Sequence, residues 1–278
     1  MRFTKMQGLG NDYVYVNALR ERVEDPSALS RAISDRHFGA GSDGLVLILP
    51  SAEADFRMRM FNADGSEAEM CGNAARCIGK YVYEKGLTRK REISLQTGSG
   101  IRRLSLETEG ETVTSVEVDM GSPVFQPDRI PVVVTGDRAV NIPVEADGHS
   151  FEMTCVSMGN PHAVIFVEDA ERFDVHRFGP LLEHNRLFPQ RANIEFATVE
   201  HSNQIRMRVW ERGSGETMAC GTGACATLAA AVQTGRSGRQ ARVRLNGGTL
   251  EIRWDEKTGH IFQKGPAVSV YEGEWPEP

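Results

Sequence analysis

The amino-acid sequence predicts an α/β (α+β) protein of two pseudo-symmetric domains, and three observations support that prediction. At 278 residues, the chain exceeds the usual size of a single domain. Segments with strand and helix patterns alternate along it. An offset of 149 positions superimposes one half on the other, so that Cys71 falls on Cys220 and Asn11 on Asn160. We therefore expect an internal duplication, with the active site in a cleft between the domains.

The same offset predicts where the domains divide. The first domain is expected to cover residues 1–119 and the second residues 120–264. Each ends in a turn with Gly and Pro that leads into a strand, at residues 120–125 and 264–269. If these closing strands pack on the opposite unit, residues 265–278 complete the first domain.

In the first half, apolar runs bounded by turn residues predict strands. Pro26 opens a short helix that we expect to reach residue 36. The loop at 39–44 has the glycine spacing of a dinucleotide site, but a strand follows where that motif requires a helix, so we expect no nucleotide there. The other expected elements are a strand pair joined by a turn at 8–12, strands at 45–49 and 56–61, a helix from Cys71 to Lys85 and strands at 92–95, 101–106 and 113–120.

The second half repeats this order. A strand and turn at 157–160 precede a strand at 163–167, and a helix is expected near 178–184. Strands at 194–197 and 205–210 then lead to Cys220. The helix that follows runs through residues 224–231 and is rich in small residues, so we expect the sheet to wrap around it.

Composition narrows the possible partners. The net charge of −6 comes from interspersed charges, which disfavours nucleic acid or an anionic membrane as a partner and favours a small solute. No apolar run approaches the ~20 residues that cross a bilayer, and no secretion signal is recognisable, so a cytoplasmic location is expected. The five cysteines are odd in number and lack the spacing of a zinc cluster, which predicts free thiols and no metal.

Cys71 and Cys220 each stand at the start of a predicted helix. The helix dipole and the N–H groups of the first turn favour negative charge there, which is expected to lower the pKa of a thiol. The backbone of Gly72 and Asn73, and that of Gly221 and Thr222, would direct N–H groups toward a bound carboxylate. Removing an α-proton places charge on that carboxylate, and fixed donors stabilise it. Two thiols that act as base and acid on opposite faces would then invert the carbon.

Each residue also has an ordinary structural interpretation. A single cysteine in a Gly-rich turn is more often a small buried residue than a catalyst. The shared register of both cysteines with Asn11 and Asn160 favours a site, whereas Cys77, Cys155 and Cys225 are interpreted as structural. His162 suits either the core or a proton relay. Glu211 and Arg212 fit a solvated turn or a substrate with several charged groups, and we interpret His37 and Asp43 as loop-stabilising.

Seven short segments, taken together, resemble the diaminopimelate epimerase family over nearly the whole chain. They are the Gly-Asn-Asp at 10–12, the runs at 61–66 and 70–73, the Gly-Asn-Pro-His at 159–162, the run at 191–196, and the runs at 211–213 and 219–223. The resemblance implies two domains, each a barrel-like mixed β-sheet around a central helix, and a homodimer in many members. It also implies metal-independent and pyridoxal-independent interconversion of L,L- and meso-2,6-diaminopimelate, a diamino-dicarboxylate, for lysine and peptidoglycan synthesis.

The resemblance implies roles for individual residues. Cys71 and Cys220 would be the acid/base pair, and His162 and Glu211 would tune the site. The substrate would be held by Asn11, Asn62, Asn160, Asn193, Glu211 and Arg212, with the backbone of Gly72, Asn73, Gly221 and Thr222 at the reacting carboxylate. One departure concerns Gly44, where some members carry a glutamine that reaches the substrate.

Three other functions fit parts of the pattern. Proline or hydroxyproline racemases use similar thiols, but a secondary-amine substrate would make little use of Arg212 and four asparagines. A pyridoxal-dependent racemase would need a lysine in the cleft, and the best-placed lysine, Lys80, lies within a helix body. An amino-acid-binding protein or thiol redox sensor would bind or oxidise without exchange at the α-carbon.

Overall fold

The structure, a computed structural model, describes residues 1–276. The chain divides into two compact units: one is Met1–Asp119 together with the stretch that begins at Lys264, and the other is Met120–Gln263. Residues 277 and 278, the end of the expected closing segment, lie outside the described residues. Within residues 1–276, no helix has the length and apolar character needed to cross a membrane.

Strands dominate both units. The first contains β1 (Arg2–Gly8), β2 (Asn11–Asn17), α1 (Pro26–Ser34), β3 (Gly44–Leu49), β4 (Phe56–Asn62), β5 (Glu67–Ala68), α2 (Gly72–Glu84), β6 (Glu92–Thr97), β7 (Gly100–Glu109) and β8 (Thr112–Asp119). The second contains β9 (Ile142–Ala146), β10 (His149–Ser157), β11 (Pro161–Phe166), α3 (Val175–Glu183), β12 (Asn193–His201), β13 (Gln204–Glu211), β14 (Gly215–Glu216), α4 (Gly221–Gln233), β15 (Gln240–Leu245) and β16 (Gly248–Trp254), with β17 (Ile261–Gly265) at its end. The last strand, β18 (Val268–Glu274), returns to the first unit.

The sheets of the two units are built alike. In the first, β1 and β2 are antiparallel, β2 and β3 are parallel, and β3 and β4 are antiparallel. The second repeats this with β10, β11, β12 and β13. Tyr13 pairs with Gly44, and His162 pairs with Asn193, so the register also repeats at the offset of 149. The duplication thus extends to individual residue pairs, and the mixed α/β fold expected from the sequence is confirmed.

One helix in each unit is enclosed by strands. Nearly all residues of α2 are buried, and the helix packs against β1, β7 and β8. The Ala-rich helix α4 packs against β10, β11, β12 and β16. Glycines in the left-handed region follow both helices, Gly86 with φ +69° and Gly235 with φ +67°, and end them as glycine caps. Lys80 lies in the body of α2 and donates to Glu84 and to the carbonyl of Val113, so its ammonium is already paired.

Local hydrogen bonds explain where helix ends differ from the predicted ones. The helix α1 stops at Ser34, and not at residue 36, because the Asp35 side chain accepts from the backbone of His37 and Phe38 and turns the chain. The helix α3 begins earlier than predicted, at Val175, because the Asp174 side chain caps it by accepting from Arg177 N. The strands β9, β15 and β16 were not predicted individually, since short alternating polar strands give a weak pattern.

Gly44 cannot be replaced without cost. A β-carbon there would overlap the carbonyl oxygen of Phe61 on the neighbouring strand and would lie 2.9 Å from the Tyr13 ring. We therefore expect Gly44→Ala to destabilise the protein by about 1–3 kcal/mol through overpacking. The midpoint of urea denaturation measures this. Gly238→Ala is the matched control because nothing lies within 4 Å of the added carbon, and equal midpoints for both variants would contradict the expectation.

Candidate active site

The candidate site residues of the first unit lie where α2 begins. Cys71 is the N-cap residue of this helix, with extended φ and ψ of −140° and 122°. Its thiol donates to Asn11 Oδ1 over 3.5 Å, and Asn73 Nδ2 donates to the same oxygen over 3.2 Å. Asn11 lies at the start of β2, directly after the turn from β1. The fold therefore places Cys71 beside Asn11, and Gly72 opens the helix next to them. The side chain of Asn73 also joins this group, although the sequence assigned only its backbone to the site.

Asn62 ends β4 and is held by its own hairpin. Its Nδ2 donates to Ser66 Oγ over 3.0 Å, and its carbonyl accepts from Ser30 Oγ over 2.8 Å. The helix α1 thereby anchors the loop that carries Asn62. The side chain is half-buried, and its contact with Ser66 is one that a ligand can exchange.

The candidate site residues of the second unit lie where α4 begins. Cys220 is the N-cap residue, and its sulfur accepts from the backbone N–H of Gly223 over 3.4 Å. The Thr222 hydroxyl lies 3.5 Å from the same sulfur and accepts from Asn160 Nδ2 over 3.3 Å. Cys220, Asn160, Gly221 and Thr222 are therefore adjacent, as predicted.

His162 is fully buried beside this group and uses both ring nitrogens. Nδ1 lies 2.6 Å from Glu195 Oε1, and Nε2 lies 2.9 Å from Asn160 Oδ1. The imidazole therefore bridges a buried carboxylate and the side-chain amide of Asn160. These two contacts hold Asn160 next to the Cys220 group.

Sequence reasoning missed Glu195 as a functional residue. It is completely buried on β12 between apolar neighbours, and a β-carbon on Gly223 would lie 2.7 Å from its Oε1 and 3.2 Å from Cys220 Sγ. Its carboxylate therefore approaches the Cys220 thiol as well as His162. A lone acid in an apolar strand was the available signal, because such a group is rarely buried without a partner.

The thiol of Cys220 departs from the expectation for a helix start. Burial, followed by the charges of Glu211 and Glu195, raises its pKa well above 9.0. The lower pKa predicted for this cysteine was therefore wrong, because desolvation and two carboxylates outweigh the helix dipole and the Gly223 donor.

Glu211 ends β13 and lies against Cys220. Burial, the largest cause, and the charge of Glu195 raise its pKa, whereas hydrogen bonds from Thr217 and Cys220 and the charge of His162 lower it. A carboxyl group with a raised pKa next to a thiol with a raised pKa is suited to share one proton with it.

Asn193 and Arg212 are tied into the scaffold. Asn193 is buried, donates from Nδ2 to the Pro161 carbonyl over 2.9 Å and accepts from Arg212 N over 2.9 Å. Its amide therefore joins the loop before β11 to the loop after β13. The Arg212 side chain is exposed and donates to the Gln190 carbonyl over 3.3 Å, so its guanidinium reaches solvent.

Three ligand-type side chains, His162, Glu195 and Cys220, lie within 4.8 Å of one another. A metal ion needs a ring nitrogen with a free lone pair. Both nitrogens of His162 face oxygen acceptors, so the observed contacts fit a hydrogen-bonded proton relay.

Comparison with known proteins assigns the family. The family model described as diaminopimelate epimerase matches residues 3–126 and 154–270. A diaminopimelate epimerase of Acetivibrio thermocellus is 56% identical over 274 residues, covering 99% of this chain and 98% of that protein. One from Methanococcus maripaludis is 53% identical, covering 99% of each chain. This chain belongs to the diaminopimelate epimerase family.

More distant solved structures share the fold. A probable proline racemase from Agrobacterium radiobacter aligns with a TM-score of 0.71 at 14% identity, over 99% of this chain and 92% of the other. A PhzF-family protein from Bacillus anthracis also gives 0.71, at 17% identity, over 100% and 99%. At these identities the likeness concerns the fold alone, whereas the diaminopimelate epimerases match in sequence as well.

Within the diaminopimelate epimerase fold, the two groups of candidate site residues differ at defined positions. Glu211 stands where the first unit has Asn62, and His162 stands where it has Tyr13. Glu195 occupies the position of Val46. The second unit therefore carries two carboxylates and an imidazole at positions where the first carries an amide, a phenol and a valine.

Proposed function

We propose that this protein interconverts L,L- and meso-2,6-diaminopimelate without a cofactor, in the synthesis of lysine and of the peptidoglycan precursor. The observation that carries the proposal is the pair of cysteines at equivalent helix starts, each beside an asparagine of the same register. Relatives more than half identical over nearly the full chain support the substrate.

In the forward direction, the thiolate of one cysteine takes the α-proton of the substrate. The C–H bond breaks, an S–H bond forms, and the electron pair moves into the carboxylate. Backbone N–H groups of the two helix starts, at Gly72 and Asn73 and at Gly221 and Thr222, stabilise the added charge. The thiol of the other cysteine then donates its proton to the opposite face, which inverts the carbon.

The thiolate of Cys220 forms when its proton moves to Glu211. Glu211 and Cys220 are hydrogen-bonded, and burial is the largest cause that raises the pKa of each, so a proton can pass between them directly. The buried pair of His162 and Glu195 lies next to them, with Nδ1 of His162 2.6 Å from Glu195 Oε1. A substrate ammonium group near Glu211 favours the carboxylate form of Glu211, which returns the shared proton to Cys220 when that thiol acts as the acid.

The remaining predicted residues recognise the ends of the substrate. Asn11, Asn62 and Asn160 offer amides near the two thiols. The exposed guanidinium of Arg212 suits bidentate binding of the distal carboxylate. Asn193 acts by holding the backbone of Arg212.

The assay for this function uses purified protein and enantiomerically pure substrates, with products separated by chiral chromatography. L,L-diaminopimelate should yield the meso isomer, and L-proline and trans-4-hydroxy-L-proline should remain unchanged. Inversion of either proline substrate with no reaction of diaminopimelate would contradict the proposal.

We also propose that the protein works in the cytoplasm as a homodimer. Support for the dimer comes from β18, where the side chains of Val268, Val270 and Tyr271 are 42%, 55% and 43% exposed. Apolar side chains on a strand are typical of subunit interfaces. Light scattering coupled to gel filtration should give twice the chain mass of 30.7 kDa, and a monomer at micromolar concentration would refute the dimer.

A further inference from the structure

A chain of hydrogen bonds fixes the side-chain amide of Asn11. Arg76 Nη2 donates to Asn73 Oδ1 over 2.8 Å, and Asn73 Nδ2 donates to Asn11 Oδ1 over 3.2 Å. Asn11 Nδ2 in turn donates to Asp43 Oδ2 over 2.9 Å. The guanidinium at one end can only donate and the ionised carboxylate at the other can only accept, so each amide between them has one orientation.

That orientation presents an acceptor to the first thiol. The Asn11 oxygen lies 3.5 Å from Cys71 Sγ and accepts its proton. A hydrogen bond to the neutral form of a group favours that form, and a thiolate has no proton to donate to an oxygen. The contact therefore favours the protonated form of Cys71.

The equivalent amide is used in the opposite sense at the second thiol. Asn160 donates from Nδ2 to Thr222 Oγ1, which leaves the hydroxyl proton of Thr222 for Cys220 Sγ. Gly223 N–H also donates to that sulfur. The two equivalent asparagines therefore act differently: Asn11 accepts from the Cys71 thiol, whereas Asn160 donates to the Thr222 hydroxyl beside Cys220.

Asp43 holds the end of the first chain. Its Oδ2 also accepts from Asp12 N over 3.1 Å, and its Oδ1 accepts from Arg36 Nη2 over 2.9 Å. Its carbonyl accepts from Ala63 N, next to Asn62. Asp43 is therefore fixed by neighbours on three sides, and its carboxylate cannot follow the Asn11 amide if that amide turns.

We propose that Asp43 is a positioning residue that, through Asn11, keeps Cys71 in its protonated form until substrate binds. This role extends the proposed function and rests on it. Without the Asp43 carboxylate, the contact from Asn73 over 3.2 Å still holds the Asn11 oxygen, but Asn11 Nδ2 loses its acceptor. The amide can then turn more easily and present Nδ2 to the sulfur. The thiolate of Cys71 then becomes more populated in the ligand-free protein.

The test measures alkylation of Cys71 by iodoacetamide in a Cys220→Ala background, without substrate, by mass spectrometry across a pH series. Asp43→Ala should increase the alkylation rate near neutral pH by about three- to tenfold, because the thiolate is the species that reacts. Asp43→Asn keeps an acceptor oxygen and should restore a rate close to that of the parent. Asp43→Ser, too short to reach Asn11, replaces Asp43→Ala if the alanine variant does not fold.

Arg36→Gln is the matched control. It removes the partner of Asp43 Oδ1 and leaves the contact between Asp43 and Asn11, so its alkylation rate should stay close to that of the parent. A rate in Asp43→Ala equal to that in Arg36→Gln, with both variants folded by circular dichroism, would overturn the proposal. Because no substrate is present, that failure is distinct from a failure of the epimerase activity, which the chiral assay of the wild type measures.

Discussion

Replacing either Cys71 or Cys220 by alanine should abolish inversion of diaminopimelate. Each thiol supplies one of the two proton transfers, and general acid–base catalysis by a positioned group contributes about 10²–10⁴-fold. The loss should appear in kcat, measured by formation of the meso isomer from L,L-diaminopimelate. It should be similar for both variants, because inversion needs a base on one face and an acid on the other.

Cys155→Ala is the matched control for loss of a thiol. Cys155 is fully buried on β10, and burial followed by the charge of Glu195 raises the pKa of its thiol far above the ordinary value. Such a thiol is inert, so the variant should keep epimerase activity comparable with the wild type. If Cys71→Ala or Cys220→Ala retained full activity, the two-thiol mechanism would be excluded.

Glu211→Gln should reduce activity and raise stability. The amide keeps the shape of the side chain but cannot take a proton from Cys220, so we expect kcat to fall about 10²-fold or more. Burial raises the pKa of Glu211 above 4.5, so its contribution to stability is present below pH 4.5 and is lost as the pH rises through the folded pKa. Glutamine shows no such loss. The melting temperature of the variant should therefore increasingly exceed that of the wild type between pH 4.5 and the folded pKa of Glu211, and the difference should stay constant above that pKa.

Thr217→Val is the control that distinguishes loss of the Glu211 carboxylate from loss of its hydrogen bond. This variant removes the hydroxyl that donates to Glu211 and keeps the acid. It should lose much less activity than Glu211→Gln and should show no gain in melting temperature at alkaline pH. A Glu211→Gln variant with wild-type kcat would contradict the role of Glu211, and a falling melting temperature relative to the wild type would contradict its raised pKa.

The sequence was sufficient to place the two thiols and their asparagines. An internal duplication carries its own register, so the shared spacing alone groups Cys71 with Asn11 and Cys220 with Asn160, and the groups within each unit form as expected. Glycine and polar-turn signals also located the starts of α2 and α4, directly after Cys71 and Cys220.

The partners of those residues could not be read from local patterns. Parallel pairing of β2 with β3 sets Tyr13 opposite Gly44 and so brings Asp43 to Asn11. Parallel pairing of β11 with β12 brings Glu195 to the face of His162. Registers between distant strands depend on the packing of the whole sheet, and local sequence does not encode them.

The same long-range contacts explain the wrong expectation for Cys220. The helix start is a local feature and was recognised, but the two carboxylates near the sulfur come from β12 and β13. Their charge and the burial of the thiol decide its pKa. Sequence reasoning therefore found the two thiols and named Glu211 through the family resemblance, but it missed Glu195, which also raises the pKa of Cys220.

Solvent isotope labelling tests the two-thiol account most directly. The wild type is incubated with L,L-diaminopimelate in deuterium oxide, and substrate and product are separated and analysed by mass spectrometry at low conversion. Opposed thiols predict that the meso product carries one solvent deuterium at the inverted carbon, while the remaining L,L substrate is unlabelled. A single base that serves both faces would return the abstracted hydrogen. Meso product that retains the substrate hydrogen, or substrate labelled as fast as product, would contradict the account.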